Sequence, residues 1–264
     1  MERLLVLRLE ASGCTAEAVL NGVPLVRAGG PQRVATVPVH EFWLAGSNQV
    51  ELLVHPPAPG ATALPEPRLS DGQAWASLQV LLPRVGSPAH PASARTVAQL
   101  DWAPPADTVH EAPASQHQAV DLPIAFPRWR WLDAPVIDDA SALAKDAAAY
   151  LLDIALGLAR GNPEPLIQAS RLRLEELAQA YQRPLADDVA RLRDQIAQLH
   201  ARQALKPALP AAGQLLLRPV AGGRLLECLT PEGLPLLRSP VAGGGSACWP
   251  LRLAAVDGRF YVLR

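Results

Sequence analysis

Arg128-Trp129-Arg130-Trp131-Leu132-Asp133-Ala134-Pro135-Val136-Ile137-Asp138-Asp139-Ala140-Ser141 divides the chain into two textures. Ahead of it runs strand-and-turn sequence heavy in proline. Behind Ile137 come three helical segments and then short strands up to Arg264. This order reads as α+β overall: an N-terminal all-β antiparallel sandwich plus C-terminal helices packed on an antiparallel sheet. The expected divisions are a sandwich domain over 1–103, a Pro/Ala-rich linker or wrapping segment over 104–136, and an α+β domain over 137–264.

On the C-terminal side, Asp138, Asp139 and Ser141 offer caps and negative charge to a helix start. Leu143, Ala147, Tyr150, Leu151, Ile154 and Leu158 then share one face, which predicts a helix over about 139–160. Gly161 suits its end, and Asn162-Pro163 opens a second helix over about 163–182. Leu185, Val189, Leu192, Ile196 and Leu199 form a coiled-coil-like seam on a third, over about 185–205. Asp187, Asp188 and Arg191 read as surface ion pairs on it. Antiparallel strands follow over about 214–264, with Asp257-Gly258 as a two-residue hairpin turn.

On the N-terminal side, Leu5, Leu7 and Leu9 alternate with Val6, Arg8 and Glu10 in a first strand. Asn21-Gly22 is a hairpin signal because both residues tolerate positive φ. Gln49 to Val54 reads as a strand that Pro56, Pro57 and Pro59 stop. Trp75–Leu82 and Val97–Trp102 complete the expected strands, and His40-Glu41-Phe42-Trp43 reads as a strand edge with Phe42 or Trp43 in the core.

Two stretches resemble known families. Leu20-Asn21-Gly22-Val23-Pro24 and Val37 to Leu52, with Trp43, Gly46 and Asn48 at their spacing, resemble galactose-binding-like jelly-roll sandwiches. The resemblance lies in turns and core strands, so it implies a sandwich and not carbohydrate binding. Ile154 to Glu164 and Val256-Asp257-Gly258-Arg259-Phe260-Tyr261-Val262-Leu263-Arg264 resemble the helix break and closing strand of NTF2-like α+β cone folds. The third helix departs from that pattern, and the acids and histidines that line the cone of catalytic members have no counterpart placed here.

Composition bounds the function classes. Among the 264 residues, 49% are hydrophobic and 19% charged, which makes a globular chain. A net charge of -1 with only two lysines, Lys145 and Lys206, argues against a general nucleic-acid binder. No segment reaches the roughly 20 apolar residues of a membrane span. Cys14, Cys228 and Cys248 are an odd count without CxxC spacing, so reduced thiols in a cytoplasmic protein are expected, with a Cys228–Cys248 pair left open.

Candidate site residues are few. In an extended chain Trp129 and Trp131 face one way and Arg128 and Arg130 the other, a pairing common at protein interfaces and at packed boundaries alike. His117 and Asp121 are the candidate metal ligands, on a loop. His110-Glu111 lacks zinc-protease spacing, and Gly243-Gly244-Gly245 lacks the Lys-Ser or Lys-Thr of a phosphate loop. No catalytic residues and no cofactor are expected. The leading expectation is a non-catalytic bacterial-type binding or interaction protein with a protein partner, of which an accessory or immunity factor is one form. A small-molecule-binding or enzymatic cone domain and a carbohydrate-binding sandwich are the alternatives.

Overall fold

A computed structural model of the protein describes residues 4–55, 66–84 and 87–264. Met1 to Arg3 and the prolines 56, 57 and 59 lie outside the described residues. The chain forms two compact units, Met1–Arg128 and Trp129–Arg264. Both sheet and helix are present, the sheets are antiparallel, and the class is α+β.

Among its described residues, the regular elements of the first unit are strands and one 3-10 turn. Its strands are β1 (Val6–Ser12), β2 (Thr15–Leu20), β3 (Val23–Gly29), β4 (Val34–Pro38), β5 (Gly46–His55), β6 (Glu66–Leu69), β7 (Trp75–Pro83), β8 (Ala94–Trp102), β9 (Val109–Ala112) and β10 (Ala114–Leu122). One sheet runs β4-β1-β7-β8, a second runs β10-β5-β2-β3, and β6 and β9 form a separate ribbon. Period-two alternation aims one set of side chains inward. Leu7 and Leu9 on β1, Leu78 and Val80 on β7, and Leu52 and Val54 on β5 are buried, and β5 lies against β7 and β8. The segment 104–136, expected as a linker or wrapping stretch, contains β9 and β10, and its residues up to Arg128 belong to the first unit. Pro113 and Pro123 sit just outside the ends of β10, where a missing N–H breaks no ladder bond, so here proline punctuates strands rather than forbidding them.

The turn at Asn21-Gly22 forms as its residues demand, with φ of 53° and 75°. Its side chain does more than turn the chain. Asn21 Nδ2 donates to Phe42 O at 2.9 Å and to Asn48 Oδ1 at 2.8 Å, while Asn21 Oδ1 accepts from Gln49 N at 2.9 Å. Asn48, 2% exposed, accepts from Leu44 N at 2.7 Å and donates to the carbonyls of Leu44 and Gly46. The two asparagines of the jelly-roll-like stretch are thus structural pins. Asn48→Ala takes the side-chain partner from the Leu44 N–H, from the Leu44 and Gly46 carbonyls and from the Asn21 amide. We expect a loss of about 2–4 kcal/mol in urea unfolding, and a loss under 1 kcal/mol would show that water replaces the amide there.

His40–Phe42 is a 3-10 turn and not the expected strand edge; His40, Phe42 and Trp43 are all buried. His40 packs edge-on to Phe126 at 5.0 Å, and burial lowers its pKa.

The second unit begins with Trp129 and carries α1 (Ala144–Ala159), α2 (Glu164–Ala169), α3 (Arg171–Ala180) and α4 (Leu185–Arg202). Its strands are β11 (Leu216–Val220), β12 (Leu225–Leu229), β13 (Arg238–Pro240), β14 (Ser246–Cys248), β15 (Arg252–Val256) and β16 (Arg259–Val262). The main sheet runs β11-β12-β15-β16, and β13 and β14 pair as a hairpin. Asp139 Oδ1 accepts from Ser141 N and Ala142 N ahead of α1, and Asn162 Oδ1 accepts from Glu164 N at the start of α2, as the caps require. The single helix expected over 163–182 is broken at Ser170 into α2 and α3. One core joins Leu151, Ile154 and Leu158 of α1 and Ile196 of α4 to Leu226, Leu253 and Val262 of the sheet.

Candidate functional site

The sequence candidates fall apart as sites once folded. Trp129 and Trp131 are 0% and 3% exposed, so neither ring offers a face to a partner in this conformation. The segment around them is fastened to α3 instead. Arg130 N–H donates to Glu176 Oε1 at 2.7 Å, and its guanidinium donates to Glu175 Oε2 at 2.8 Å and Leu172 O at 3.1 Å. Arg264 lies over the Trp129 ring, 5.2 Å from its centroid, and pairs with Glu176. Arg128 lies at the end of the first unit.

His117 and Asp121 both lie on β10, a strand and not a loop. Four residues of strand separate two side chains by about 13 Å, too far to share one ion. Among the described residues no group of three or more His, Cys, Asp or Glu could hold a metal. Cys14, Cys228 and Cys248 are unpaired thiols. Burial pushes the Cys228 thiol far up, as it does to a smaller degree for Cys14, so neither is poised as a nucleophile.

Buried charge in the second unit is mostly spent on structure. Glu227 on β12 stands between Arg218 on β11 and Arg252 on β15, with bonds of 2.9 Å to each. That ladder crosses three strands on the sheet face opposite Leu226 and Cys228. Two guanidiniums on one carboxylate tie the three strands together, which suits a fixed register rather than chemistry.

The hollows among the described residues differ in lining; one of about 580 Å³ lies open beside Tyr150, Asp153, Arg171, Phe260 and Tyr261. In the first unit, a cavity of about 260 Å³ gathers Cys14, Arg68, Asp71, Trp102, His110 and Glu111. These come from four separate stretches of chain, which is why no spacing in the sequence announced them. Trp102 and His110 meet edge-on at 5.3 Å, and Asp71 holds its own turn through Gln73 N. The acids stand exposed on its rim. Another hollow, along α4, is lined by Asp187, Asp194, Gln195, Gln198 and Arg202, with Ala190 and Leu199 as its apolar side chains.

One more is of a different kind. A cavity of about 230 Å³ lies between α2, α3, α4 and the residues leading into β15. Its floor is apolar: Leu166, Leu174, Leu177, Leu192, Trp249 and Leu251. Three arginines stand around it. Arg173 reaches across from α3 to Pro250 O at 3.1 Å. Arg183 and Arg191 converge on Asp188, at 2.7 Å and 2.9 Å. Asp188 is 5% exposed, and Arg183 also lies 4.7 Å over the Tyr181 ring. Cys248 and Trp249 border the space from the strand side.

Asp188 is the residue that sequence reading misplaced. It was expected on the surface with Asp187 and Arg191, yet it is buried. The signal was present: Asp188 falls three residues after Leu185 and four before Leu192, on the inward seam of α4. An acid on an apolar seam needs a partner, and Arg183 supplies it from the loop ahead of the helix.

Comparison with protein-family models, curated proteins and solved structures gives no match.

Proposed function

We propose that this chain is a non-catalytic binding protein whose C-terminal α+β unit takes a small molecule in the pocket between α2, α3, α4 and β15. One observation carries the reading: an apolar floor ringed by guanidiniums, two of them held in place by a buried carboxylate. Apolar walls with a few fixed polar groups are the usual make-up of a ligand site. Arginine keeps its charge and does not give up a proton, so this set holds a ligand rather than transferring protons to one. The first unit serves in this reading as a β-sandwich partner domain, which the buried inner faces of its two sheets support. Among the described residues no helix is long and apolar enough to cross a membrane. Three unpaired thiols favour a reducing, cytoplasmic setting.

The pocket carries its own reporter. The Trp249 indole N–H, assigned by comparison with Trp249→Phe, is followed by two-dimensional NMR while a library of small apolar compounds is added. We expect its resonance to move for at least one compound, and to stay still when Gln195→Trp fills the mouth of the pocket. A Trp249 signal that no compound moves, in folded protein, removes the pocket as a site.

A further inference from the structure

We infer that the ligand of this pocket is an apolar anion: a single carboxylate on a hydrocarbon body of about eight carbons. The inference rests on the pocket reading above and adds its chemistry. Two guanidiniums, Arg183 and Arg191, share the one carboxylate of Asp188, so that cluster carries a net positive charge. Arg173 adds a third guanidinium on the opposite wall, and Asp188 is the sole acid among the lining residues. The arrangement favours an anion at the rim. Guanidinium offers a planar fork that fits a carboxylate with two parallel bonds.

Asp188 has a second part to play. By fixing Arg183 and Arg191 through one buried acceptor, it limits the side-chain freedom that a ligand would otherwise have to freeze out. It is a positioning residue and makes no ligand contact of its own. Beneath the rim, the five leucines Leu166, Leu174, Leu177, Leu192 and Leu251 offer no hydrogen bond, so the floor favours a hydrocarbon body, with the Ser170 hydroxyl and the Trp249 indole N–H as polar groups beside it. At about 30 Å³ for a water-sized group, the space suits about eight non-hydrogen atoms, the hydrocarbon body alone, with the carboxylate at the rim.

Octanoate, octanol and octylamine share a chain and differ in head group, so they separate charge from shape. Affinity for each is read from the Trp249 indole titration. Octanoate should bind at least fivefold more tightly than octanol, by the order of magnitude of one partly exposed charged bond, about 1 kcal/mol. Its affinity should fall as salt is raised, while that of octanol should not. Arg191→Gln, which leaves Arg183 on Asp188, should weaken octanoate several-fold and leave octanol unchanged; Arg191→Lys should recover part of the loss. If octanol or octylamine binds as tightly as octanoate, the pocket stands and the anion assignment is overturned. If none of the three moves Trp249, while the protein keeps its native unfolding transition, the pocket reading and this inference fall together.

Discussion

Replacing Glu176 by alanine will lower the unfolding free energy by about 3–5 kcal/mol, the range for breaking a buried ion pair on one side. Glu176 is 4% exposed and Arg264 is 2% exposed. The carboxylate accepts from the Arg130 N–H at 2.7 Å and from the Arg264 guanidinium, which also covers Trp129 and donates to Leu263 O at 2.7 Å. Deleting the carboxylate takes the charged partner from a buried cation and the acceptor from the part-buried Arg130 N–H together. A domain commonly has only about 5–15 kcal/mol to lose. Glu176→Gln keeps an oxygen for the Arg130 N–H and gives up the charge, so it should fall between wild type and alanine. Hydrogen exchange should speed up in α3 and around Trp129 first. If Glu176→Ala costs under 1 kcal/mol, the pair is not what ties this segment to the helix.

Trp43→Ala is expected to cost about 3–5 kcal/mol as well, by a different route. Trp43 is fully buried, directly after the 3-10 turn of His40–Phe42, and alanine in its place leaves a cavity that the two sheets can close only in part. Trp43→Phe should recover more than half of the loss by filling most of that space. Because Trp43 adjoins Leu44, whose N–H and carbonyl Asn48 binds, the double change Trp43→Ala with Asn48→Ala should cost less than the sum of the two single ones. Additive losses in urea titrations would show that the ring and the amide stabilise the turn separately.

Much of the local structure was legible because it depends on neighbours in the chain. Asn21-Gly22, Asp257-Gly258, Gly161 and the caps at Asp139 and Asn162 act within a few residues, and each appears where its chemistry placed it. The strand β10 was not legible, since Gln116, Gln118 and His117 give no apolar alternation; its register comes from pairing with β5, far away in sequence. The pocket was hidden for the same reason. Arg173, Asp188 and Trp249 have no meaningful spacing until helices and strands bring them together. The tryptophan–arginine motif shows the converse: its residue types suit an interface, and only the burial of both rings reveals that α3, through Glu175 and Glu176, already holds the segment.

The tip of the β13–β14 hairpin is governed by torsion alone. Gly243, Gly244 and Gly245 have φ of 89°, 96° and 83°, yet a methyl group on any of them would meet open space. Crowding therefore does not reserve these positions for glycine; backbone handedness does. Extra residues inserted at this tip would release that constraint and add only the small entropy of a longer closure, about 0.6 kcal/mol for each doubling. It is a natural graft point, where a lineage can lengthen the protein and leave Cys248 and the strands below undisturbed.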